Sequence, residues 1–182
     1  VYVKLEKPYT SASRWGVTLA YTYTDSEQNS PIDGWPGGFN AETIRDYGWF
    51  PGKVPENRVV MTGIWDGPWG TTFSGKGTWA DATPRYYQNC NVSAWAFCHF
   101  ESYTPRENFK QIDLAMEKVW DTGSDIRLRI RGDVLNVFNW SNYDGYEDWR
   151  GGAAEPQNPA WGKPTSIALP TRTFKLSFGL DW

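Results

Sequence analysis

Large apolar residues and small or polar residues take turns, one by one, along most of this chain. The last stretch shows the pattern without interruption. Phe174, Leu176, Phe178, Leu180 and Trp182 alternate with Thr173, Lys175, Ser177, Gly179 and Asp181. Successive side chains of an extended strand point to opposite faces, so a period of two is a strand seen by two environments. Helical periodicity is almost absent. Only the run 39–50, FNAETIRDYGWF, leaves room for a short helical turn.

Seven such runs lie near residues 1–7, 14–25, 56–65, 69–80, 109–120, 126–140 and 171–182. In the first, Val1, Val3 and Leu5 share a face. In the second, Trp15, Val17, Leu19, Tyr21 and Tyr23 oppose Arg14, Gly16, Thr18, Ala20, Thr22 and Thr24. The third, ENRVVMTGIW, gives no clear facing. The fifth sets Ile112, Leu114 and Met116 against Gln111, Asp113, Ala115 and Glu117. The sixth sets Ile126, Leu128, Ile130 and Val134 against Arg127, Arg129, Arg131 and Asp133. The fold class expected is all-β and antiparallel.

The connections alternate in length. Short ones (8–13, 66–68, 121–125) follow odd runs and long ones (26–55, 81–106, 141–169) follow even runs. Transmembrane β-barrels have this asymmetry of short turns at one end and long loops at the other. A soluble sandwich also alternates, but its wet face is the charged one and its loops need not alternate in length. Here the polar rows carry full charges of both signs, and the apolar rows are tipped by Trp and Tyr. Both features favour a lipid-facing barrel wall with an aromatic girdle.

Composition fits this reading. With 12 Trp, 10 Tyr and 9 Phe in 182 residues the chain is too aromatic for disorder, and 18 Gly and 12 Pro supply turns. A net charge of -3 disfavours nucleic acid as a partner. No apolar run approaches the roughly 18–20 residues of a membrane helix, which excludes helical spans only; a barrel strand needs about 9–11. The two cysteines, Cys90 and Cys98, are expected to close a small loop as a disulfide in an oxidising compartment. With His99 beside them they make a poor metal-ligand set.

At LRIRGDVLNVFNWSNY (128–143) and PTRTFKLSFGLDW (170–182) the chain resembles the C-terminal end of a TonB-dependent receptor, an active transporter of the bacterial outer membrane. The resemblance is carried by Asn136, Phe138, Asn139 and Tyr143 in the first motif, and by Pro170, Arg172, Phe174 and Trp182 in the second. FKQIDLAMEKVW is similar to the preceding strand through Asp113, Leu114 and Lys118, and the opening residues resemble a hairpin in the later part of such barrels. The resemblance implies a barrel of roughly 22 strands filled by a plug. It also implies a coupling box ahead of that plug, so this chain is expected to be the C-terminal portion of one barrel domain. Its partners would be outer-membrane lipid, the TonB energy-coupling complex through the N-terminal part, and the barrel-assembly machinery. That machinery would read Phe174, Leu176, Phe178, Leu180 and Trp182 as a sorting signal.

The cargo expected is a scarce nutrient: a siderophore, oligosaccharide, vitamin or peptide. Candidate ligand-binding residues are the loop aromatics Trp35, Trp49, Phe50, Trp95, Tyr143, Trp149 and Trp161, with packing among the loops as the alternative role. Asp113, Glu117, Arg127, Arg129, Arg131 and Asp133 are expected to be lumen charges that pair across strands. No nucleophile elbow, phosphate-cradling loop or cation loop is present in the sequence, so no enzyme activity, cofactor or metal is expected. Two other readings stay open: a small outer-membrane barrel with adhesive loops, and a secreted carbohydrate-binding sandwich.

Overall fold

The computed structural model describes residues 1–28, 50–89, 99–123, 126–151 and 157–182, and of residues 50, 86–89 and 99–101 the backbone alone. Its main feature is one antiparallel sheet of seven strands. They are β1 (Tyr2–Lys7), β2 (Trp15–Tyr23), β5 (Asn57–Asp66), β6 (Thr71–Ala80), β9 (Phe109–Asp121), β10 (Arg127–Leu135) and β13 (Thr173–Asp181). Each pairs with the next in that order. Such a meander is what alternating runs joined by direct connections produce. The sheet is open, with β1 and β13 as its edges.

Three two-stranded ribbons rise from the long connections: β3 (Glu27–Gln28) with β4 (Phe50–Pro51), β7 (Arg85–Asn89) with β8 (His99–Tyr103), and β11 (Tyr143–Tyr146) with β12 (Pro164–Ile167). All three stand at the same end of the sheet, because every long connection follows a strand running in the same direction. The sequence did not announce them. The candidate helical turn in 39–50 lies outside the described residues apart from Phe50, whose backbone is in β4.

The short turns hold themselves tightly. In the β5–β6 turn, Pro68 is followed by Trp69 and Gly70, both with positive φ (56° and 67°). Gly67 N–H donates to the Thr71 carbonyl at 2.8 Å. A side chain on Gly67 would run into the Phe73 ring, 2.7 Å from a Cβ. This turn is tied to the β1–β2 turn: Arg14 donates to the Gly67 carbonyl at 3.0 Å, Asp66 N–H donates to the Arg14 carbonyl at 2.8 Å, and the Tyr9 hydroxyl donates to the Asp66 carboxylate.

The sixth run stops earlier than its expected end at residue 140. Asn136 and Asn139 take left-handed backbone (φ 52° and 57°), which ends β10 at Leu135. Asn tolerates this conformation because its short amide can bond the local backbone. The Asn136 amide donates to the Trp140 carbonyl (2.8 Å), and its oxygen accepts from Trp140 N–H (3.0 Å). Asn139 accepts from Arg172 N–H at 2.8 Å, just before β13 opens. Asn142 reaches back to β9, with its oxygen on Lys110 N–H and its amide on the Lys110 carbonyl, both at 2.8 Å. The N-x-F-N run and Asn142 after it therefore form a polar clamp between the ends of β9, β10 and β13.

Among the described residues no large side chain is fully buried. The buried apolar residues, Ala80, Ala82 and Tyr146, all sit at the long-loop end. A sheet of this size without a second layer has no core of its own across its middle.

Candidate functional site

Strand register decides which residues share a face, because directly paired residues point the same way. From one edge to the other, Leu5 pairs with Leu19, Leu19 with Met61, Trp65 with Phe73, and Phe73 with Met116. Met116 then pairs with Gly132, and Gly132 with Leu176. One continuous apolar face follows. It includes the β5 residues Val59, Met61 and Trp65, whose facing the sequence leaves open. Many of its large side chains are exposed, among them Leu5, Trp15, Met61, Phe73, Met116 and Phe178, while those of β10 (Leu128, Ile130 and Val134) are partly covered. Its Trp and Tyr residues fall in two rows, with Phe178 of β13 between them. Trp15, Trp65, Phe73 and Trp120 lie toward the short-turn rim; Tyr21 and Trp79 lie toward the long loops. Trp15 and Tyr21 on β2, and Phe73 and Trp79 on β6, are separated by a rise of about 20 Å along the strand at ~3.3 Å per residue.

The other face holds the charges. Arg127, Arg129, Arg131, Asp133, Glu117 and Asp113 all stand on it. Arg129 pairs with Asp181 (2.7 Å), and Arg131 with Asp133 (2.8 Å) and with Glu117 (3.8 Å). Arg127 stands directly between Asp121 and Asp181 in register. The arginines and Asp181 are nearly half exposed while Glu117 and Asp133 are more covered, and with one partner of every pair so open to solvent each contributes on the order of 1 kcal/mol or less. Asp113 plays a different part from the other acids. It accepts from the Gln111 amide (2.8 Å) and from Asn136 N–H (2.9 Å), which makes it a member of the polar clamp.

A denser cluster forms at the long-loop end. Gly145 lets β11 and β12 approach, since a Cβ there would collide with the hydroxyls of Ser166 and Thr165. Asp144 accepts from the Ser166 hydroxyl at 2.5 Å, and its carbonyl accepts from Arg85. The Arg85 guanidinium lies 4.9 Å from the centre of the Tyr146 ring, a cation–π arrangement. Tyr146 is 8% exposed, and its hydroxyl is 3.5 Å from Glu107. Burial, reinforced by the Glu107 charge, raises its pKa. Tyr103 donates to Asp148 at 2.8 Å, and its ring lies 5.5 Å from Trp161, over which Arg150 is placed. Burial first, and then the bond to Asp148, pushes the Tyr103 pKa well up.

Beside this cluster is a cavity of about 270 Å³, lined in part by Asp81, Arg85, Glu107, Asn108, Tyr143 and Tyr146. Carboxylates, a guanidinium and phenol edges meet there, a set suited to holding a polar, hydrogen-bonding ligand. Among the described residues no group of three metal-ligating side chains occurs.

Of the loop aromatics singled out in the sequence, the structure brings Tyr143 and Trp161 into this cluster, while Trp149 is half exposed next to it. Trp35, Trp49 and Trp95 lie outside the described residues, as do Cys90 and Cys98, and for Phe50 only its backbone in β4 is described. Sequence reasoning missed Arg85, Glu107 and Asn142, and it did not single out Tyr103 and Tyr146 from the other loop aromatics or assign the clamp role of Asn136 and Asn139. Only the N-x-F-N run carried a signal, and it pointed to family likeness rather than to a hydrogen-bonding role.

Comparison with known protein families, with characterised proteins and with solved structures finds no match. Among the described residues no helix is long and apolar enough to cross a membrane, which says nothing about strands.

Proposed function

We propose that this chain forms part of the wall of an outer-membrane β-barrel, in a TonB-dependent receptor that takes up a scarce nutrient. The observation that carries the reading is the apolar face. Seven strands at ~4.8 Å spacing and about 20 Å between aromatic rows give it a projected area on the order of 600 Å². That is at the upper limit of what soluble monomers leave bare, roughly 300–600 Å², before side-chain relief is counted. Each large side chain on it would gain about 1.5–3 kcal/mol by leaving water. An apolar band between two aromatic rows, with charges on the reverse face and long loops at one end, has the layout of a lipid-facing wall.

In this reading the long-loop cluster around Tyr103, Tyr143, Tyr146 and Trp161 faces outward and captures the ligand. The arginine and carboxylate rows of β9, β10 and β13 line the polar interior, where the plug named by the family resemblance would sit. Phe174, Leu176, Phe178, Leu180 and Trp182 face lipid and serve as the sorting signal for assembly. The test is fractionation of the producing cells followed by mass measurement. Recovery from the outer membrane only with detergent, at an intact mass several times 20.8 kDa, supports the receptor. Recovery without detergent refutes the barrel, and a detergent-dependent species near 20.8 kDa refutes the receptor while leaving a small barrel.

A further inference from the structure

The charges on the apolar face are few and of one sign. Paired registers place Lys7, Lys110 and Lys118 there, and no acidic residue of the seven strands. Lys7 is occupied: its ammonium donates to Ser13 Oγ (2.8 Å) and the Trp15 carbonyl (2.7 Å), and sits 3.9 Å from the centre of the Trp15 ring. Lys110 stands at the opposite end, beside the asparagine clamp. Lys118 differs from both. It emerges between Thr71 and Ile130, and its ammonium bends to the short-turn rim. There it lies 5.6 Å from the centre of the Trp120 ring and beside Gly70, 3.7 Å from where a Cβ would be. It makes no hydrogen bond or ion pair with any described residue.

An ammonium has three donors and no acceptor capacity, and at the edge of an apolar face that meets lipid it is best matched by an acceptor of opposite charge. Two features beside it suit a lipid. Trp69, 85% exposed in the left-handed turn next to Gly70, is a residue type that settles at the headgroup level. On the next pair of this face away from the rim, Met116 faces Gly132, where a Cβ would meet nothing within 4 Å, and this leaves a gap between Met116 and Leu176 into which part of an acyl chain fits. Resting on the membrane reading above, we infer that Lys118, between Trp120 and the Trp69–Gly70 turn, binds the phosphate of an anionic phospholipid headgroup at the short-turn rim.

The test is native mass spectrometry of the full chain released from detergent with equimolar phosphatidylglycerol and phosphatidylcholine. Phosphatidylglycerol should be retained about fivefold more than phosphatidylcholine, the size expected for one basic residue at an anionic surface. Lys118→Gln should bring the two lipids level, while Lys118→Arg and Lys7→Gln should keep the preference. An undiminished preference in Lys118→Gln, or equal retention by the unaltered chain, overturns the site. Tryptophan quenching by bromine-labelled phosphatidylcholine, measured on the same protein, reads the apolar face separately. Quenching with no headgroup preference refutes the lysine site alone; no quenching refutes the membrane reading beneath it.

Discussion

Phe178 gives the sharpest test of which solvent the apolar face meets. It is midway between Phe174 and Trp182 on β13, pairs with Ile130, and is 69% exposed. A Phe side chain offers roughly 200 Å², so about 140 Å² of it faces the surroundings. At ~25 cal/mol per Å² that contact stabilises the folded chain by about 3.5 kcal/mol if the surroundings are lipid. Arginine at a barrel's midplane costs a further ~2–4 kcal/mol. Phe178→Arg should therefore destabilise the chain in phospholipid vesicles by about 5.5–7.5 kcal/mol, read as the shift in guanidinium unfolding followed by tryptophan fluorescence. If the face met water, the same change would be worth about 0.5 kcal/mol or less, as for ordinary surface sites. Ser177→Arg is the control, one residue away and on the charged face opposite Arg131. Its cost is limited to like-charge crowding, about 0.2–1 kcal/mol. A Phe178→Arg cost no larger than that of Ser177→Arg would refute the lipid-facing assignment.

Three further outcomes are expected. Asn142→Ala removes two hydrogen bonds to the Lys110 backbone from a residue that is 3% exposed, and should cost about 2–4 kcal/mol in unfolding experiments, because buried backbone groups lose their partners. For Tyr103 the folded-state pKa is raised above the ordinary 10.0 by burial and by Asp148; the folded chain then holds its phenol proton above pH 10 where the unfolded chain releases it. Stability is thus full below pH 10 and falls as pH rises beyond it, and Tyr103→Phe should fall less steeply, with one fewer late-titrating phenol in ultraviolet difference spectra. Gly16→Ala places a Cβ 2.7 Å from the Tyr9 backbone nitrogen, whereas Gly132→Ala meets open space; thermal or chemical unfolding should show a loss of about 1–3 kcal/mol for the first and none for the second.

The alternation in 171–182 and 126–135 determined strands by itself, because side-chain direction in an extended chain follows from parity alone. The rhythm of short and long connections likewise fixed which end of the sheet carries the loops. The sequence also allotted the two faces wherever a run was clean, as in β2, β9, β10 and β13. Register decided the rest. Val59, Val60, Met61, Ile64 and Trp65 in β5 satisfy either parity about equally, and only the pairing with Leu19 and Gly77 settles that Met61 joins the apolar face. Asp113 and Glu117 look alike on one strand, yet Asp113 is taken by Asn136, 23 residues away, and Glu117 by Arg131. The cluster of Arg85, Tyr103, Tyr146 and Trp161 likewise draws on two long connections, 81–106 and 141–169. Contacts of that kind depend on distances across the sheet and between ribbons, which a local pattern does not encode. Local chemistry made the sheet and its two faces legible; tertiary placement chose which charges, rings and asparagines meet.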